Sequence, residues 1–91
     1  MFEVNVRLFA NLKEVVGRST ITLKFEGPPT IIEIINNLTS QAPALEKYLI
    51  KDGKFNERYR ILNDSKEIPK ERFMEPISSK EVSILPPVSG G

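Results

Sequence analysis

The sequence predicts an α+β fold in which a small mixed sheet is covered on one face by one main helix. Residues 2–10 and 20–25 alternate apolar and polar side chains with a period of two, which is typical of half-buried strands. Four apolar residues then recur at helical spacing: Ile31, Ile34, Ile35 and Leu38. A chain of 91 residues buries such a stripe and such strands most economically by packing the helix on the sheet.

The first strand, predicted over residues 2–10, places one aromatic residue on the outer face of the sheet. Its inner face carries four apolar residues: Phe2, Val4, Val6 and Leu8. Phe9 breaks this alternation and points outward. Two interpretations remain open for Phe9: cover from a neighbouring loop, or contact with a partner protein.

A short helical turn is predicted between the first two strands. Asn11 is expected to cap it, with Glu14 reaching back three residues later, and Gly17 is expected to end it. The second strand, residues 20–25, then turns Ile21, Leu23 and Phe25 inward. The connection is too long for a two-residue turn, so a hairpin with an elaborated loop is expected.

The main helix has clear start and stop signals. Thr30 and Glu33 form a capping-box pattern, and the helix must end before Pro43. Residues 43–49 favour a second, shorter helix with Pro43 in its first turn.

The C-terminal half predicts shorter elements. Asp52-Gly53 indicates a turn, and residues 59–63 indicate a third strand that ends in the turn Asn63-Asp64-Ser65. Ile68-Pro69 and Phe73-Met74 suggest an edge strand and a loop, and a last strand covers residues 81–85.

Composition excludes several classes of chemistry. The chain contains no cysteine and no histidine, so disulfides, zinc sites with the usual ligands, a Cys nucleophile and a Ser-His relay are ruled out. The glycines at positions 17, 27 and 53 are isolated, so no phosphate-binding loop is present. No pair of carboxylates is marked out as a general acid and base, and no metal site is predicted.

One group of basic residues stands out, and two interpretations of its role remain open. Its four residues are Lys51, Lys54, Arg58 and Arg60. They form either a solvated loop and strand edge, or a docking patch for an acidic surface or RNA. The formal net charge is only +1, so binding to nucleic acid is not expected. No apolar run approaches a membrane span and no signal peptide is evident, so a cytoplasmic protein without membrane contact is expected.

The last residues form a slender arm. Pro86 and Pro87 hold the backbone extended, so the six residues 86–91 reach roughly 20 Å from the last strand. Gly90 and Gly91 have no Cβ and fit a channel too narrow for other residues. The terminal carboxylate would then be presented to the active site of another protein, unless the segment is simply a frayed end.

Residues 85–91, with the sequence LPPVSGG, resemble the C-terminus of the small subunit of molybdopterin synthase, in the MoaD family of ubiquitin-like sulfur carriers. Val6-Arg7-Leu8-Phe9-Ala10 and the isoleucine-rich helix after Thr30 are similar to other parts of that family. Two places depart from it. Asn63 is followed by Asp64 where the family usually has Asn-Gly, and residues 78–81 read SSKE in place of an acidic, Gly-containing turn.

The resemblance implies a β-grasp (ubiquitin-like) domain over residues 1–85 and a flexible tail over residues 86–91. It implies adenylation of Gly91 by an activating enzyme that uses ATP and Mg, and then conversion of Gly91 to a thiocarboxylate with sulfur from a donor protein. The tail residues would enter the large subunit of the synthase in a heterotetramer and deliver sulfur to a pterin precursor; they are Pro86, Pro87, Val88, Ser89 and Gly90. Phe9 and Leu85 would contact the partner.

In this scheme the chain binds no cofactor and is not catalytic alone, because the acid-base groups and metal belong to its partners. The alternatives are a ubiquitin-like protein modifier or a sulfur carrier for tRNA thiolation, then a carrier for thiamine thiazole synthesis, and last a plain interaction module.

Overall fold

The structure, a computed structural model, describes residues 1–87. Its seven strands are β1 Phe2–Leu8, β2 Thr20–Phe25, β3 Ile50–Lys51, β4 Lys54–Phe55, β5 Arg60–Asn63, β6 Lys66–Glu67 and β7 Glu81–Leu85. Its three α-helices are α1 Ala10–Val16, α2 Ile31–Gln41 and α3 Glu46–Leu49, and short 3₁₀ turns cover Pro43–Leu45 and Lys70–Arg72.

Five strands form the main sheet in the order β2-β1-β7-β5-β6. The central pair, β1 and β7, is parallel, and the other pairs are antiparallel. With α2 packed on one face, this mixed sheet is the predicted β-grasp fold. Strands β3 and β4 make a separate small hairpin that the sequence patterns did not predict.

The core lies between α2 and the inner face of the sheet. All four residues of the predicted stripe are buried, and so are Val4, Val6, Leu23, Val82 and Ile84 from the strands that face them. The spacing of the apolar residues in the sequence therefore predicted correctly which faces of β1, β2 and α2 point into the core. Phe73 also belongs to the core, although it follows a 3₁₀ turn in a stretch where the sequence indicated only a loop.

The start of α2 confirms the predicted capping box. The Thr30 hydroxyl accepts a hydrogen bond from the Glu33 backbone N–H at 3.1 Å, and the Glu33 carboxylate accepts one from the Thr30 N–H at 2.8 Å. The helix ends at Gln41, before Pro43 as expected. The segment after it is shorter than predicted as an α-helix, because its first three residues form a 3₁₀ turn and only Glu46–Leu49 is α-helical.

Asn11 does not cap α1, contrary to the prediction. The first strand ends at Leu8, the helix begins at Ala10, and the N-cap position is taken by Phe9, whose side chain makes no capping hydrogen bond. Asn11 is turned inward instead, and its amide donates to the Tyr59 hydroxyl at 3.0 Å. The helix does end at Gly17, which has a left-handed φ of 82°.

The edge strand near Ile68-Pro69 was also misplaced. The strand that pairs with β5 is Lys66–Glu67, and Pro69 lies beyond it, because proline has no N–H to give to a ladder. The turn between β5 and β6 consists of Asp64 and Ser65, both with positive φ, at 54° and 71°. These are type I′ turn angles, for which glycine is the usual residue.

No helix within residues 1–87 is long and apolar enough to cross a membrane.

Candidate functional site

The tail leaves the sheet from its centre. β7 lies between β1 and β5, so Leu85 is the last residue of a strand that is hydrogen-bonded on both sides. Pro86 and Pro87 follow and are half-buried. A central strand is the most firmly held place in a sheet, so the direction in which the chain departs is set by the whole domain.

A small apolar surface surrounds this exit point on the outer face of the sheet. Leu8 pairs with Ile84, and Phe9 continues in extended geometry, so the parallel register places Phe9 beside Leu85. Leu62 lies on the same face, opposite Ser83 in the neighbouring strand. We call the three half-buried residues Phe9, Leu62 and Leu85 the outer-face patch.

Two arginines border the outer-face patch. The Arg7 guanidinium lies over the Phe9 ring, 5.4 Å from its centre, and Arg60 pairs directly with Leu85 across the β5–β7 ladder. An apolar centre with a cationic rim is a common composition of protein-binding surfaces. The two residues predicted to contact a partner, Phe9 and Leu85, are therefore brought together. Leu62 was not identified from the sequence, because it follows a buried Ile61 in a short strand with little visible alternation.

Asn63 anchors the segment that leads into β7. Its side chain is only 6% exposed. The side-chain oxygen accepts from the Ser78 N–H at 3.1 Å and from the Ser78 hydroxyl at 3.2 Å. The side-chain amide faces the Glu81 carbonyl at 2.9 Å, the Ser79 hydroxyl at 3.0 Å and the Ser79 carbonyl at 3.3 Å. Asn63 thus holds the start of the strand that presents the tail.

This contact also accounts for the unusual SSKE sequence at residues 78–81. Both serine hydroxyls bond to Asn63, so the segment is ordered by side-chain hydrogen bonds. From the sequence, Asn63 was predicted only as the last residue of the third strand and the first residue of the turn that follows it. A polar residue directly after the apolar pair Ile61-Leu62 was the available signal that it is buried.

The four basic residues do not form one cluster. Lys51 pairs with Lys54 across the β3–β4 hairpin, and both line a surface depression together with Arg58. Asp52 and Glu57 line the same depression, which offsets much of its positive charge. Arg60 lies apart, on the outer face of the main sheet. The solvated-surface interpretation therefore fits Lys51 and Lys54, whereas Arg60 belongs to the rim of the outer-face patch.

One surface ion pair within residues 1–87 shifts the pKa of both of its members. The Lys70 ammonium lies 2.8 Å from the Glu57 carboxylate. This hydrogen bond, helped by the opposite charge, lowers the pKa of Glu57 and raises the pKa of Lys70. Both groups are exposed, so the pair marks no buried acid or base. No group of side chains that could hold a metal ion occurs in this part of the chain.

The remaining predicted site residues lie outside the described part of the chain: Val88, Ser89, Gly90 and Gly91. The described residues contribute the end of the last strand, the two prolines and the outer-face patch.

A β-grasp domain whose last strand ends at an apolar patch has the architecture of a ubiquitin-like carrier or modifier. The family model of the ThiS family matches residues 6–91, and the chain belongs to this family of ubiquitin-like sulfur carriers. Members of the family are generally non-catalytic and work with partner proteins.

The chain is similar to several archaeal proteins along its whole length. Small archaeal modifier protein 3 of Haloferax volcanii is 29% identical over 91 residues, covering 98% of this chain and 99% of the relative. The crystal structure of SAMP1 from the same organism matches with a TM-score of 0.85 at 28% identity, over 98% of this chain and 99% of that one. The solution structure of SAMP1 from Methanosarcina acetivorans matches with a TM-score of 0.82 at 33% identity, over 100% of this chain and 98% of that one.

A more distant match is a putative molybdopterin converting factor subunit 1 from Pyrococcus furiosus. It has a TM-score of 0.76 but only 15% identity, over 97% of this chain and 100% of that one. At this identity the likeness shows a common fold alone. The predicted membership of the sulfur-carrier family is therefore confirmed, whereas the narrower resemblance to the molybdopterin synthase subunit stays a prediction.

Proposed function

We propose that this chain is a carrier whose reactive group is the terminal carboxylate of Gly91. The observation that supports this most is the central position of β7, whose last residue, Leu85, belongs to the outer-face patch and leads directly into Pro86. A partner that binds the patch then receives the tail in a defined direction. The Gly-Gly end supplies a tip without side chains for a narrow active site.

The first step of this proposal is activation. A carboxylate is a poor electrophile, so an activating enzyme would supply ATP and Mg. An oxygen of the Gly91 carboxylate attacks the α-phosphorus of ATP, pyrophosphate leaves, and an acyl adenylate forms. The terminal sulfur of a persulfide on a donor protein then attacks the acyl carbon and displaces AMP, which gives an acyl disulfide. A second thiol of the partner proteins attacks the donor sulfur of this disulfide, so that the terminus leaves as a thiocarboxylate and the two partner sulfurs become a disulfide. The chain itself contributes the carboxylate and its delivery.

For the next step we propose sulfur donation within a molybdopterin synthase. The tail, residues 86–91, would enter the large subunit in a heterotetramer, and the thiocarboxylate would pass sulfur to a pterin precursor for a molybdenum or tungsten cofactor. The LPPVSGG terminus supports this proposal.

Protein modification is the second candidate, and the names of the relatives favour it. The two proteins of Haloferax volcanii that match this chain at 29% identity are both named small archaeal modifier proteins. In this case a lysine amine of a target attacks the activated acyl carbon, AMP or a thiol leaves, and an isopeptide bond to Gly91 forms. Sulfur transfer to tRNA would use the same activated terminus with a different acceptor.

Three measurements separate these steps. ATP–pyrophosphate exchange with the cognate activating enzyme tests activation, and its absence would refute the carrier proposal as a whole. Mass spectrometry of the C-terminal peptide from the native source then distinguishes a thiocarboxylate from a lysine-linked Gly91. Co-purification of a synthase large subunit supports the molybdopterin route, whereas recovery of lysine conjugates alone contradicts it.

The outer-face patch is tested by comparing two substitutions that each add a carboxylate. Phe9→Asp changes the patch, and Met74→Asp changes a side chain that is 73% exposed and lines a groove beside α2, away from the patch. We expect Phe9→Asp to weaken binding to the activating enzyme at least about tenfold, which is the loss of roughly 1.4 kcal/mol at an interface centre. Met74→Asp should leave binding unchanged. Equal affinity for both variants would show that the partner binds elsewhere.

A further inference from the structure

Strand β2 is an open edge of the main sheet. It is the first strand in the order β2-β1-β7-β5-β6, so only one of its sides is paired. Its six residues, Thr20–Phe25, contain no proline, and the register with β1 runs without a bulge from Phe2↔Phe25 to Arg7↔Thr20. Prolines, bulges, short length and charged side chains are the usual protections of an edge against strand addition. β2 has none of the first three, and its one charged residue is Lys24.

The register identifies which backbone groups face outward. The Leu8 N–H donates to the Ser19 carbonyl at 2.8 Å, and these two residues lie directly opposite each other. In an antiparallel ladder, bonded and non-bonded pairs alternate. Ile21, Leu23 and Phe25 therefore bond to β1, and the N–H and C=O groups of Thr20, Thr22 and Lys24 point away from it. No backbone partner for these three residues occurs within residues 1–87.

The outward backbone N–H and C=O groups of β2 can pair with the same groups of a second copy that is related by a two-fold rotation. If two copies of β2 pair antiparallel about Thr22, Thr22 faces its own copy and Thr20 faces Lys24 of the other copy. All three outward residues then fall at bonded positions, so six backbone hydrogen bonds form. The two Lys24 residues are four positions apart along the ladder, so their Cα atoms are separated by about 14 Å, which exceeds the screening length of roughly 8–10 Å.

Charges beyond the strand match the same register. Continuing the pairing by two residues at each end places Arg18 opposite Glu26 of the second copy, and the same contact recurs by symmetry. Both side chains are exposed, and neither forms a salt bridge within residues 1–87. Shifting the register by two residues would lose these contacts, so the charges select the alignment about Thr22.

We propose that two copies of this chain associate through β2, antiparallel and centred on Thr22, to form a continuous ten-stranded sheet across the dimer. Such an edge-to-edge contact is small, so the dimer is weak and forms at high local concentration. The second copy is added in the plane of the sheet beyond β2, so the outer-face patch on the face of the sheet stays accessible in the dimer. The proposal is independent of what Gly91 carries.

Single cysteines test the register directly, because the natural chain has none. In Thr22→Cys the two sulfur-bearing residues face each other with Cα atoms about 5.5 Å apart, within the range that a disulfide spans. In Thr20→Cys the equivalent residues are about 14 Å apart and cannot be bridged. Thr22→Cys should therefore form disulfide dimers in mild oxidant much faster than Thr20→Cys or Lys24→Cys.

A mixture of Thr20→Cys and Lys24→Cys adds a second prediction. These positions face each other, so the mixed disulfide should exceed both self-disulfides. Equal rates for all single variants, or no preference in the mixture, would overturn the proposed register. A strand from an unrelated partner in place of a second copy would leave Thr22→Cys no faster than the surface control Ser40→Cys.

Charge exchange tests the same dimer without cysteine. Sedimentation velocity over a concentration series should show a dimer that Arg18→Glu and Glu26→Arg each weaken several-fold. The double variant restores the opposite charges and should recover the wild-type dimer fraction. A wild-type chain that stays monomeric throughout the series, or a double variant no better than either single one, would refute the proposal.

Discussion

Asn63→Ala is expected to destabilise the domain although it removes no apolar contact of the core. The side-chain amide has two hydrogens, so it satisfies at most two of its three facing acceptors at one time. The oxygen accepts two more hydrogen bonds, both from Ser78. Asn63→Ala therefore removes up to four hydrogen bonds from a side chain that is 6% exposed.

The magnitude depends on which partners find a substitute. The Glu81 carbonyl keeps a bond from the Asp64 N–H at 3.1 Å, and the Ser78 and Ser79 hydroxyls can turn to water. The Ser78 N–H loses its protein partner. A net loss of about 1 kcal/mol for each of two well-made bonds, plus part of the cost of an unpaired group, gives roughly 2–4 kcal/mol. For a domain of this size that lowers the unfolding midpoint by about 8–25 °C.

The assay is thermal and urea unfolding of Asn63→Ala beside Asn37→Ala. Asn37 lies on α2, where its side chain accepts one exposed hydrogen bond from Gln41. We expect Asn37→Ala to change stability by less than about 0.5 kcal/mol. If Asn63→Ala were equally harmless, the segment 78–81 would not depend on Asn63, and the explanation of how the tail strand is held would be refuted.

Asn63→Asp refines this test through pH. A carboxylate at position 63 would face the Ser79 and Glu81 carbonyls in a buried place, so its pKa is raised above the unfolded value of about 3.9. The ionised form is the penalised one. The loss of stability relative to wild type should therefore be full above the raised pKa and should shrink as pH falls towards the unfolded pKa. A loss that does not change with pH would contradict this environment.

Four further predictions concern the core, a turn, an ion pair and the tail. Ile35→Asp should lower the free energy of unfolding by at least about 2–5 kcal/mol, because Ile35 is 2% exposed and the carboxylate would have no partner. Ser65→Gly should raise it by roughly 1 kcal/mol, since Ser65 has a φ of 71°. Lys70→Ala should return the pKa of Glu57 towards its usual value in an NMR titration. Gly91→Val, and an alanine added after Gly91, should abolish adenylation in pyrophosphate exchange with no change in the unfolding midpoint.

Each of these four has a matched control or a contradicting result. Asn36→Asp, on the exposed side of α2, should leave stability nearly unchanged, and a similar loss at both positions would mean that the buried face is wrongly assigned. A fall in stability of Ser65→Gly would mean that Ser65 makes an unrecognised contact. A Glu57 pKa unaffected by Lys70→Ala would break the assignment of the ion pair. Normal activation of both tail variants would leave the tail without a role.

Patterns with strong local causes were predicted from the sequence because neighbours in the chain decide them. The period of two assigned the inner faces of β1 and β2, and the period of 3.6 assigned the buried stripe of α2. Thr30 and Glu33 cap their helix through contacts three residues apart. The Gly-Gly terminus, the two prolines and the absence of histidine and cysteine are properties of the chain itself. Together with the family resemblance they were sufficient for the fold and the class of protein.

Contacts between residues that lie far apart in the sequence decided the features that the sequence patterns did not predict. Asn11 has the sequence signal of a helix cap, yet its side-chain amide donates a hydrogen bond to the hydroxyl of Tyr59, 48 residues away in the chain. The sequence around Phe73 indicated a loop, but the β3–β4 hairpin brings the centre of the Phe55 ring to 5.4 Å from the centre of the Phe73 ring, and the two rings pack together. The outer-face patch exists only because the parallel register of β1 and β7 places Phe9 beside Leu85. The hydrogen bond between Leu8 and Ser19 fixes which residues of β2 bond to β1, and therefore which of its backbone groups face outward. Local sequence carries no information on such registers, because they depend on which strands become neighbours when the sheet assembles.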